Sequence, residues 1–318
     1  PPAMCSPVIS IITPSYNQAA YLGQTIRSVL EQDYPQIEYM VVDGESTDCS
    51  VDIIRKYDGR LAWWVSEADS GQADAINKGF ARASGEIVAW LNSDDYYLPN
   101  TIPAVMELFA KHPEAGLIYG DVLSVDGEGN PINIQCFQPY TLDDMMAFKI
   151  ISQPAVFMRR SILEKAGYLD PSYHFLLDHH LWLRMVQLAP LVHSPQILAA
   201  ARYHDDAKNI SHAEQFGGEA FKILEWVEAQ PGLAERLLEN KPEIMAGAHH
   251  LNAFYLVEAG KMRAGLIAYY HAFRYHPRTV YKAWKRIIYA FFSLIGLGRV
   301  REIYLRFKQN SLKKETRE

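Results

Sequence analysis

The sequence has few cysteines and no long hydrophobic run. Its 318 residues include three cysteines, Cys5, Cys49 and Cys136, which are far apart and odd in number. This pattern excludes a disulfide framework and a zinc site built on closely spaced cysteines. It predicts a protein of the reducing cytosol. The longest apolar run, residues 287–298, has 12 residues and is too short to span a bilayer. No signal-peptide pattern opens the sequence, so we expect a cytoplasmic protein.

Charge is moderate in amount but uneven along the chain. Charged residues make up 21% of the sequence, hydrophobic residues make up 49%, and the formal net charge is -6. These values exclude a disordered chain and argue against general nucleic-acid binding. Residues 271–318 contain 12 Lys/Arg and 3 Asp/Glu, a balance of +9, whereas the remainder has a balance of -15.

The basic end of the chain interleaves its charges with aromatic residues such as Trp284, Phe291 and Phe307. This pattern favours a helical face that contacts the anionic inner surface of a membrane. Packing of the same helices on their own domain, or on a second subunit, is the alternative.

Four apolar segments alternate with helical patterns in the first part of the chain. The predicted strands are residues 7–14, 37–42, 61–66 and 86–91, and the predicted helices between them are residues 21–32, 50–57 and 73–83. Short links between alternating strands and helices predict a mostly parallel sheet with right-handed crossovers, flanked by helices in an α/β fold.

Acidic residues follow three of the four predicted strands. Asp43 follows the second strand, Asp69 the third, and Asp94 and Asp95 the fourth. Because the carboxyl ends of parallel strands share one edge, these side chains are predicted to line one ligand-binding rim. Carboxylate oxygens there suit Mg2+ or Mn2+, which can in turn hold a diphosphate. Each acid by itself is equally well explained as a turn or helix-cap residue, so the grouping is what favours a site.

The same residues belong to four motifs that resemble the family 2 glycosyltransferases, which have the Rossmann-like GT-A fold. The motifs are ITPSYN at residues 12–17, VDGESTD at 42–48, DSGQADAINKG at 69–79 and LNSDD at 91–95. Their order and spacing match, and the resemblance covers about residues 6–211. It implies an inverting, metal-dependent transfer of a sugar from a nucleotide-sugar donor, by default a UDP-sugar, to a hydroxyl acceptor.

The resemblance also implies roles for individual residues. Asp43 is expected to accept hydrogen bonds from the nucleobase or ribose, and Lys78 to counter the diphosphate charge, although a solvated surface lysine is the alternative. The residues expected beside the nucleotide and donor sugar are Pro14, Tyr16, Asn17, Asp43, Asp69, Asp74, Lys78, Asn92, Ser93 and Asp121.

The expected metal ligands are Asp94, Asp95 and His204. Asp94 occupies the last acidic position of the family's Asp-x-Asp motif, whose first acidic position is here Asn92. An amide oxygen still accepts, but the change removes one charge. A structural histidine is the alternative for His204.

Asp178 lies at the N-terminus of a predicted amphipathic helix and stands at the position of the general base in the resembled family. In that role it takes the proton from the acceptor hydroxyl. An N-cap aspartate is the alternative, and His179 and His180 are rival bases.

The last predicted strand covers residues 197–203, and residues 202–204 followed by Ser211 resemble the family's closing segment. Helical patterns continue from about Glu214 to the end of the chain, and one of the predicted helices covers residues 279–295. We therefore expect a catalytic domain over residues 1–212 and an all-helical extension with a basic amphipathic tail over residues 213–318. The Gln-x-x-Arg-Trp segment of processive synthases is absent, which favours addition of a single sugar. A glycan or lipid-linked acceptor in the assembly of a cell-surface polysaccharide fits the basic tail.

Two other functions stay open at the level of the sequence. A metal-dependent nucleotidyltransferase also combines a nucleotide-binding sheet with carboxylates, but residues 12–19 lack the Gly-rich basic signature that it usually carries. A catalytically silent module that binds nucleotide sugars is the second alternative, and Asn92 favours it.

Overall fold

The computed structural model describes residues 6–204 and 212–294. The chain divides into two compact units. Among the described residues, the first contains those up to Thr141 together with Ile151–Arg202, and the second contains Leu142–Ile150 together with those from Tyr203 onward. The segment Leu142–Ile150 therefore clusters with the second unit, although the predicted domain boundary lies at residue 212. The assignment of catalysis to residues 1–212 stays a prediction.

The first unit is built on a sheet of nine strands within the described residues, in the order β3-β2-β1-β4-β8-β6-β9-β5, with β7 paired to β6. The strands are β1 Ile9–Ser15, β2 Ile37–Asp43, β3 Trp63–Ser66, β4 Ile87–Trp90, β5 Tyr96–Tyr97, β6 Leu117–Val125, β7 Pro131–Gln135, β8 Val156–Arg159 and β9 Leu191–Arg202.

The helices alternate with the strands in the first half of the chain and follow one another in the last third. In chain order they are α1 Leu22–Leu30, α2 Ser50–Arg55, α3 Gln72–Phe80, α4 Thr101–Lys111, α5 Leu142–Met146, α6 Arg160–Ala166, α7 Leu177–Met185, α8 Phe216–Glu228, α9 Pro231–Glu239, α10 Lys241–Glu258, α11 Met262–Tyr275, α12 Pro277–Tyr281 and α13 Trp284–Leu294. Short 3-10 turns occur at Asp58–Arg60, Gln153–Ala155 and Ala213–Gln215.

Strands β1 to β4 form the parallel sheet that the alternating pattern predicts. β1 pairs in parallel with β2 and β4, and β2 pairs in parallel with β3. All seven residues of β1 are buried, as expected for a strand covered on both faces. Helix α3 lies close to β1, because a Cβ on Gly79 would lie 2.5 Å from the Ile12 side chain. The predicted strand–helix alternation is confirmed.

The second half of the sheet is mostly antiparallel. β8 is antiparallel to β4 and to β6, whereas β9 is parallel to β6. The sequence predicts β9 from residue 197, but the strand begins at Leu191. Gly120 pairs with Ser194 and the next residue pairs with Ile197, so the pairing skips Pro195 and its neighbour. The proline lacks an N–H donor and interrupts the pattern that the sequence shows.

The second unit is helical in the described residues. A single helix predicted from residue 279 to 295 is instead two, α12 and α13, which are separated at Lys282 and Ala283. Buried small and apolar residues hold α10 to α13 together: Ala253, Val257, Ala268, Tyr269, Ala272, Val280 and Ala290. Residues 295–318, which carry the rest of the predicted basic face, lie outside the described residues. No helix in the described ranges has the length and apolar character needed to cross a membrane.

Candidate nucleotide-sugar site

The carboxyl ends of β1, β2 and β3 lie in register at one edge of the sheet. Ser15 pairs with Asp43, and Asp43 pairs with Ser66. The Asp43 carboxylate is 1% exposed and accepts three hydrogen bonds. Its partners are the Ser46 N–H at 2.9 Å, the Ser46 hydroxyl at 2.6 Å and the Ser66 hydroxyl at 2.8 Å. Asp43 therefore fixes the loop after β2, and its predicted contact with the nucleoside stays a prediction.

The loop after β1 is tied to the loop after β2 through Asn17. Its N–H donates to the Ser46 hydroxyl at 2.8 Å, and its side-chain oxygen accepts the Thr47 N–H at 2.8 Å. Pro14 is buried within β1, whereas the Tyr16 side chain is 61% exposed. Of the predicted nucleotide wall, Tyr16 and Asn17 are exposed and accessible to a ligand, whereas Pro14 is not.

Asp69 lies directly against the loop after β2. A Cβ on Gly44 would lie 2.6 Å from Asp69 Oδ2, so a side chain at position 44 would displace this carboxylate. Asp69 Oδ1 accepts the Gly71 N–H at 2.8 Å, which anchors the turn into α3. The two motifs at 42–48 and 69–79 are thus in contact, as the predicted common rim requires.

Lys78 is held by acidic neighbours. Its Nζ lies 2.9 Å from Glu67 Oε1 and 3.6 Å from Asp74 Oδ2. The hydrogen bond to Glu67 is the main cause that raises the pKa of Lys78 above its usual value. Asp74 also accepts the Ser70 N–H at 3.0 Å. Lys78 is therefore a cation at the rim, with its charge already partly balanced.

The loop after β4 contains a hydrogen-bonded chain of side chains. The Gln72 amide donates to Asn92 Oδ1 at 2.8 Å, and the Asn92 side chain bonds to Asp95. Asp95 Oδ1 accepts the Arg202 N–H at 2.9 Å. Burial, followed by the neighbouring Asp94 charge, raises the pKa of Asp95 well above its usual value. These contacts assign Asp95 to the support of the loop, while its predicted coordination of a metal stays a prediction.

Asp94 is the acid of this loop that is partly exposed, whereas Ser93 and Asp95 are buried. Within residues 6–204 and 212–294, no group of three or more His, Cys, Asp or Glu side chains could form a metal site by itself. Mg2+ commonly binds through one or two carboxylates together with substrate phosphates, and a dedicated protein cage is not required. Asp94 and its surroundings fit a metal of that shared kind.

Arg202 organises this loop, although the sequence predicts no site role for it. It is 5% exposed and lies over the rings of Tyr21 and Tyr96, at 4.7 and 5.6 Å. Its guanidinium donates to the Asp94 carbonyl at 3.0 Å, the Gly127 carbonyl at 2.9 Å and Gln24 Oε1 at 2.7 Å. The sequence offers one signal for a buried, paired role of Arg202, because this basic residue directly follows the apolar residues 198–201.

Asp121 is enclosed within the second half of the sheet. Its carboxylate is 2.9 Å from His193 Nε2 and accepts the Phe137 N–H at 3.0 Å. Residue Asp121 is 6% exposed, and its strand β6 pairs along its length with β9. Its predicted contact with the donor sugar stays a prediction, and its observed partner is a histidine inside the fold.

Asp178 lies in the first turn of α7 and is partly exposed. The N-cap position is Leu176, so the alternative interpretation of Asp178 as the N-cap is wrong. The rival bases are enclosed, since His179 is 1% exposed and His180 is 2% exposed. Among these three candidate bases, Asp178 is therefore the one with access to an acceptor.

Two contacts bring α7 and the preceding loop next to the parallel half of the sheet. The rings of Trp90 in β4 and Trp182 in α7 have centroids 5.2 Å apart. Trp182 is four residues after Asp178 and so shares its side of the helix. The Asn77 side chain of α3 donates to the Leu169 carbonyl at 2.8 Å and accepts the Leu169 N–H at 3.0 Å. The helix of Asp178 thus packs beside the strand that leads to Asp94.

His204, the third predicted metal ligand, follows β9 and clusters with the second compact unit. Its role as a metal ligand stays a prediction. Ser211, the last residue of the predicted closing segment, lies outside the described residues.

Comparison with known proteins identifies the family. The family model described as Glycosyl transferase family 2 matches residues 10–167. The putative teichuronic acid biosynthesis glycosyltransferase TuaG of Bacillus subtilis is 33% identical over 187 residues, which are 57% of this chain and 73% of that protein. The chain belongs to glycosyl transferase family 2. This membership confirms the resemblance and removes the nucleotidyltransferase alternative.

Other family members match over different shares of their length. An uncharacterized glycosyltransferase of Nostoc sp. is 33% identical over 176 residues, which are 51% of this chain and 54% of that protein. This match therefore spans about half the length of the Nostoc protein.

Solved structures confirm the predicted GT-A fold. TarS of S. aureus in complex with UDP-GlcNAc has a TM-score of 0.56 at 17% identity, with 93% of this chain and 92% of that chain covered. The mannosyltransferase PcManGT of Pyrobaculum calidifontis, in complex with GDP-Man and Mn2+, has a TM-score of 0.60 at 20% identity, with 92% and 88% covered.

Proposed function

We propose that this family 2 glycosyltransferase is an inverting, metal-dependent, non-processive enzyme. It transfers a sugar from a nucleotide-sugar donor, by default a UDP-sugar, to a hydroxyl acceptor. The observation that carries the proposal is the packing of the helix of Asp178 beside the strand that leads to Asp94, through Trp90 and Trp182 at 5.2 Å. The proposed base, Asp178, and the carboxylate proposed to bind the metal, Asp94, therefore belong to neighbouring elements of the first compact unit.

The donor is proposed to bind along the carboxyl edge of β1 to β4. Tyr16 forms an exposed part of the nucleotide wall, and the locked loops around Asn17, Asp43 and Asp69 set its shape. Similar structures in complex with UDP-GlcNAc and with GDP-Man and Mn2+ support a nucleotide sugar as the ligand class.

Asp94 is proposed to hold Mg2+ or Mn2+ together with the donor diphosphate, and Asp95 and Arg202 keep the Asp94 loop in place. The bound ion supplies Lewis-acid stabilisation of the negative charge on the leaving diphosphate. The chain itself contributes the Asp94 carboxylate, which lies on a loop held in place by hydrogen bonds from Arg202 to the Asp94 carbonyl and to Asp95.

Asp178 is proposed to accept the proton of the acceptor hydroxyl. The acceptor oxygen forms its bond to the anomeric carbon as the bond from that carbon to the diphosphate oxygen breaks. Since this is a single displacement, the configuration of the anomeric carbon inverts. Sugar transfer and the release of nucleoside diphosphate occur in the same step.

Replacing Asp94 with alanine is expected to remove the metal-dependent part of donor binding. Calorimetric titration of UDP or GDP with and without Mn2+ measures this part directly. We expect a loss of at least about tenfold in the Mn2+-dependent affinity, because about 1.4 kcal/mol from one charge-assisted contact corresponds to this factor. Glu107→Ala is the matched control, since this exposed helical acid pairs with Lys111. Equal metal-dependent affinities in wild type and Asp94→Ala would contradict the assignment.

The acceptor is proposed to be a glycan or lipid-linked glycan of cell-surface polysaccharide assembly, presented at an anionic membrane. Residues 262–294 contain six Lys/Arg and no Asp/Glu. On α13, Trp284, Ile288 and Phe291 follow one another at helical spacing and are 52%, 44% and 57% exposed. Exposed aromatics among basic residues fit an anionic lipid surface better than an apolar protein partner.

Replacing Trp284 with glutamate is expected to weaken binding to vesicles of phosphatidylcholine and phosphatidylglycerol by at least about tenfold. Sedimentation with these vesicles, and with pure phosphatidylcholine, measures the effect. Leu238→Glu on α9 is the control, because Leu238 is 72% exposed and lies outside α11 to α13. Unchanged binding in Trp284→Glu would sink the proposal. If Trp284→Glu instead abolishes self-association of the protein, the exposed face of α13 is a contact between copies of the chain.

A further inference from the structure

Glu45 has a main-chain conformation that is unfavourable for its residue type. Its φ is +64°, and the other described non-glycine residues with positive φ are Asn17, Asn100 and Phe148. Asparagine tolerates this left-handed region, whereas a long side chain such as glutamate does so at a cost in stability. A glycine at position 45 would satisfy the same backbone more readily.

The backbone on both sides of Glu45 is fixed by hydrogen bonds. The Gly44 N–H donates to the Ser15 carbonyl at 2.8 Å, and the Ser46 N–H donates to Asp43 Oδ2 at 2.9 Å. Position 45 therefore has little freedom to relax. A strained residue kept by such surroundings is a reason to look for a function of its side chain.

The Glu45 carboxylate is available to a ligand. The residue is exposed, and across residues 6–204 and 212–294 it has no hydrogen bond or ion pair. It lies in the loop that bonds to Asn17, the chain neighbour of the exposed Tyr16, and Gly44 beside it touches Asp69. An unpaired acceptor thus projects from the part of the rim where the nucleoside is proposed to bind.

We infer that Glu45 is a specificity-determining residue whose carboxylate accepts a hydrogen bond from an N–H or O–H group of the donor's nucleoside. This inference rests on the proposed function. A carboxylate repels phosphate, so its partner is the neutral base or ribose and not the diphosphate. The side chain would therefore help to orient the nucleoside end of the donor away from the metal.

Two substitutions separate the strain from the recognition. Glu45→Gly relieves the backbone, so the melting temperature is expected to rise by about 2–4 °C while the Kd for the nucleoside diphosphate rises about tenfold. Glu45→Gln keeps the strain and removes the charge, so the Kd is expected to rise about threefold or more with no gain in melting temperature. Glu31→Gln, at an exposed glutamate after α1, is the control for loss of a surface charge.

Calorimetric titration with UDP, 2′-deoxy-UDP and GDP identifies the group that Glu45 binds. A partner at the ribose 2′-hydroxyl predicts that 2′-deoxy-UDP binds wild type and Glu45→Gln with equal affinity, whereas a partner at the base or the 3′-hydroxyl predicts that the variant stays weaker. An unchanged Kd in both variants, with wild type binding normally, would overturn the inference alone. If wild type binds no nucleoside diphosphate, the proposed function itself is wrong, and this inference falls with it.

Discussion

Replacing Asp178 with asparagine is expected to reduce sugar transfer by a factor of about 10²–10⁴, the usual contribution of a general base. Asparagine has nearly the same shape but cannot take the proton from the acceptor hydroxyl. Asp178 lies in the first turn of α7 and is partly exposed, and asparagine fills the same space there. Donor affinity and the free energy of unfolding should therefore stay close to those of wild type.

Asp52→Asn is the matched control for Asp178→Asn. Asp52 is also an aspartate in the first turn of a helix, and it pairs with Arg55 at 3.0 Å on the exposed surface of α2. Turnover in this control should equal that of wild type. A folded Asp178→Asn protein that transfers sugar at the wild-type rate would remove Asp178 from the mechanism, and the enclosed His179 and His180 would have to be reconsidered.

Replacing Arg202 with alanine is expected to lower the free energy of unfolding by roughly 3 kcal/mol, because charge-assisted hydrogen bonds and buried acceptors are lost together. The variant leaves the carbonyl oxygens of Asp94 and Gly127 without this donor, and the Gln24 side chain as well. Urea denaturation measures the loss of stability. Since the Asp94 loop is no longer held, metal-dependent binding of the nucleoside diphosphate should fall as well.

Arg202→Lys tests whether the shape of the guanidinium matters beyond its charge. Lysine keeps the cation but cannot reach several acceptors in a planar arrangement, so we expect a partial recovery of stability and metal-dependent affinity. Arg160→Ala is the control, since the Arg160 side chain is 36% exposed and makes hydrogen bonds to Gly85 and Glu164. Its cost should be under about 1 kcal/mol. Similar losses in Arg202→Ala and Arg160→Ala would show that Arg202 has no special role.

The sequence predicts the parallel half of the sheet well, because its strands are continuous apolar runs bounded by turns. Local periodicity is enough to place β1, β2 and β4 and the helices between them. It is not enough for β9, where the skipped pairing around Pro195 hides the first half of the strand. The break between α12 and α13 escapes prediction for a different reason, because apolar and basic residues continue through Lys282 and Ala283 without a helix-ending signal.

The candidate site was predictable as a location more than as a set of contacts. Acids after successive parallel strands indicate the rim, and Asp94 and Asp178 are indeed partly exposed. The burial of Asp43 depends on Ser46 and on Ser66 of a neighbouring strand, which are partners that only the fold brings together. The support of the Asp94 loop by Arg202 spans 108 residues of sequence and leaves no local pattern.

The most direct test of the account is a screen of UDP-, GDP- and dTDP-sugars for release of nucleoside diphosphate by the wild-type chain, with Mn2+ or Mg2+ present. We expect slow hydrolysis of one donor that requires the metal ion, because water can replace the acceptor inefficiently. Binding of a donor without any release, even with candidate glycan acceptors added, would favour a silent binding module and contradict the proposed transfer. Absence of binding by every nucleotide sugar would contradict the nucleotide-sugar site itself.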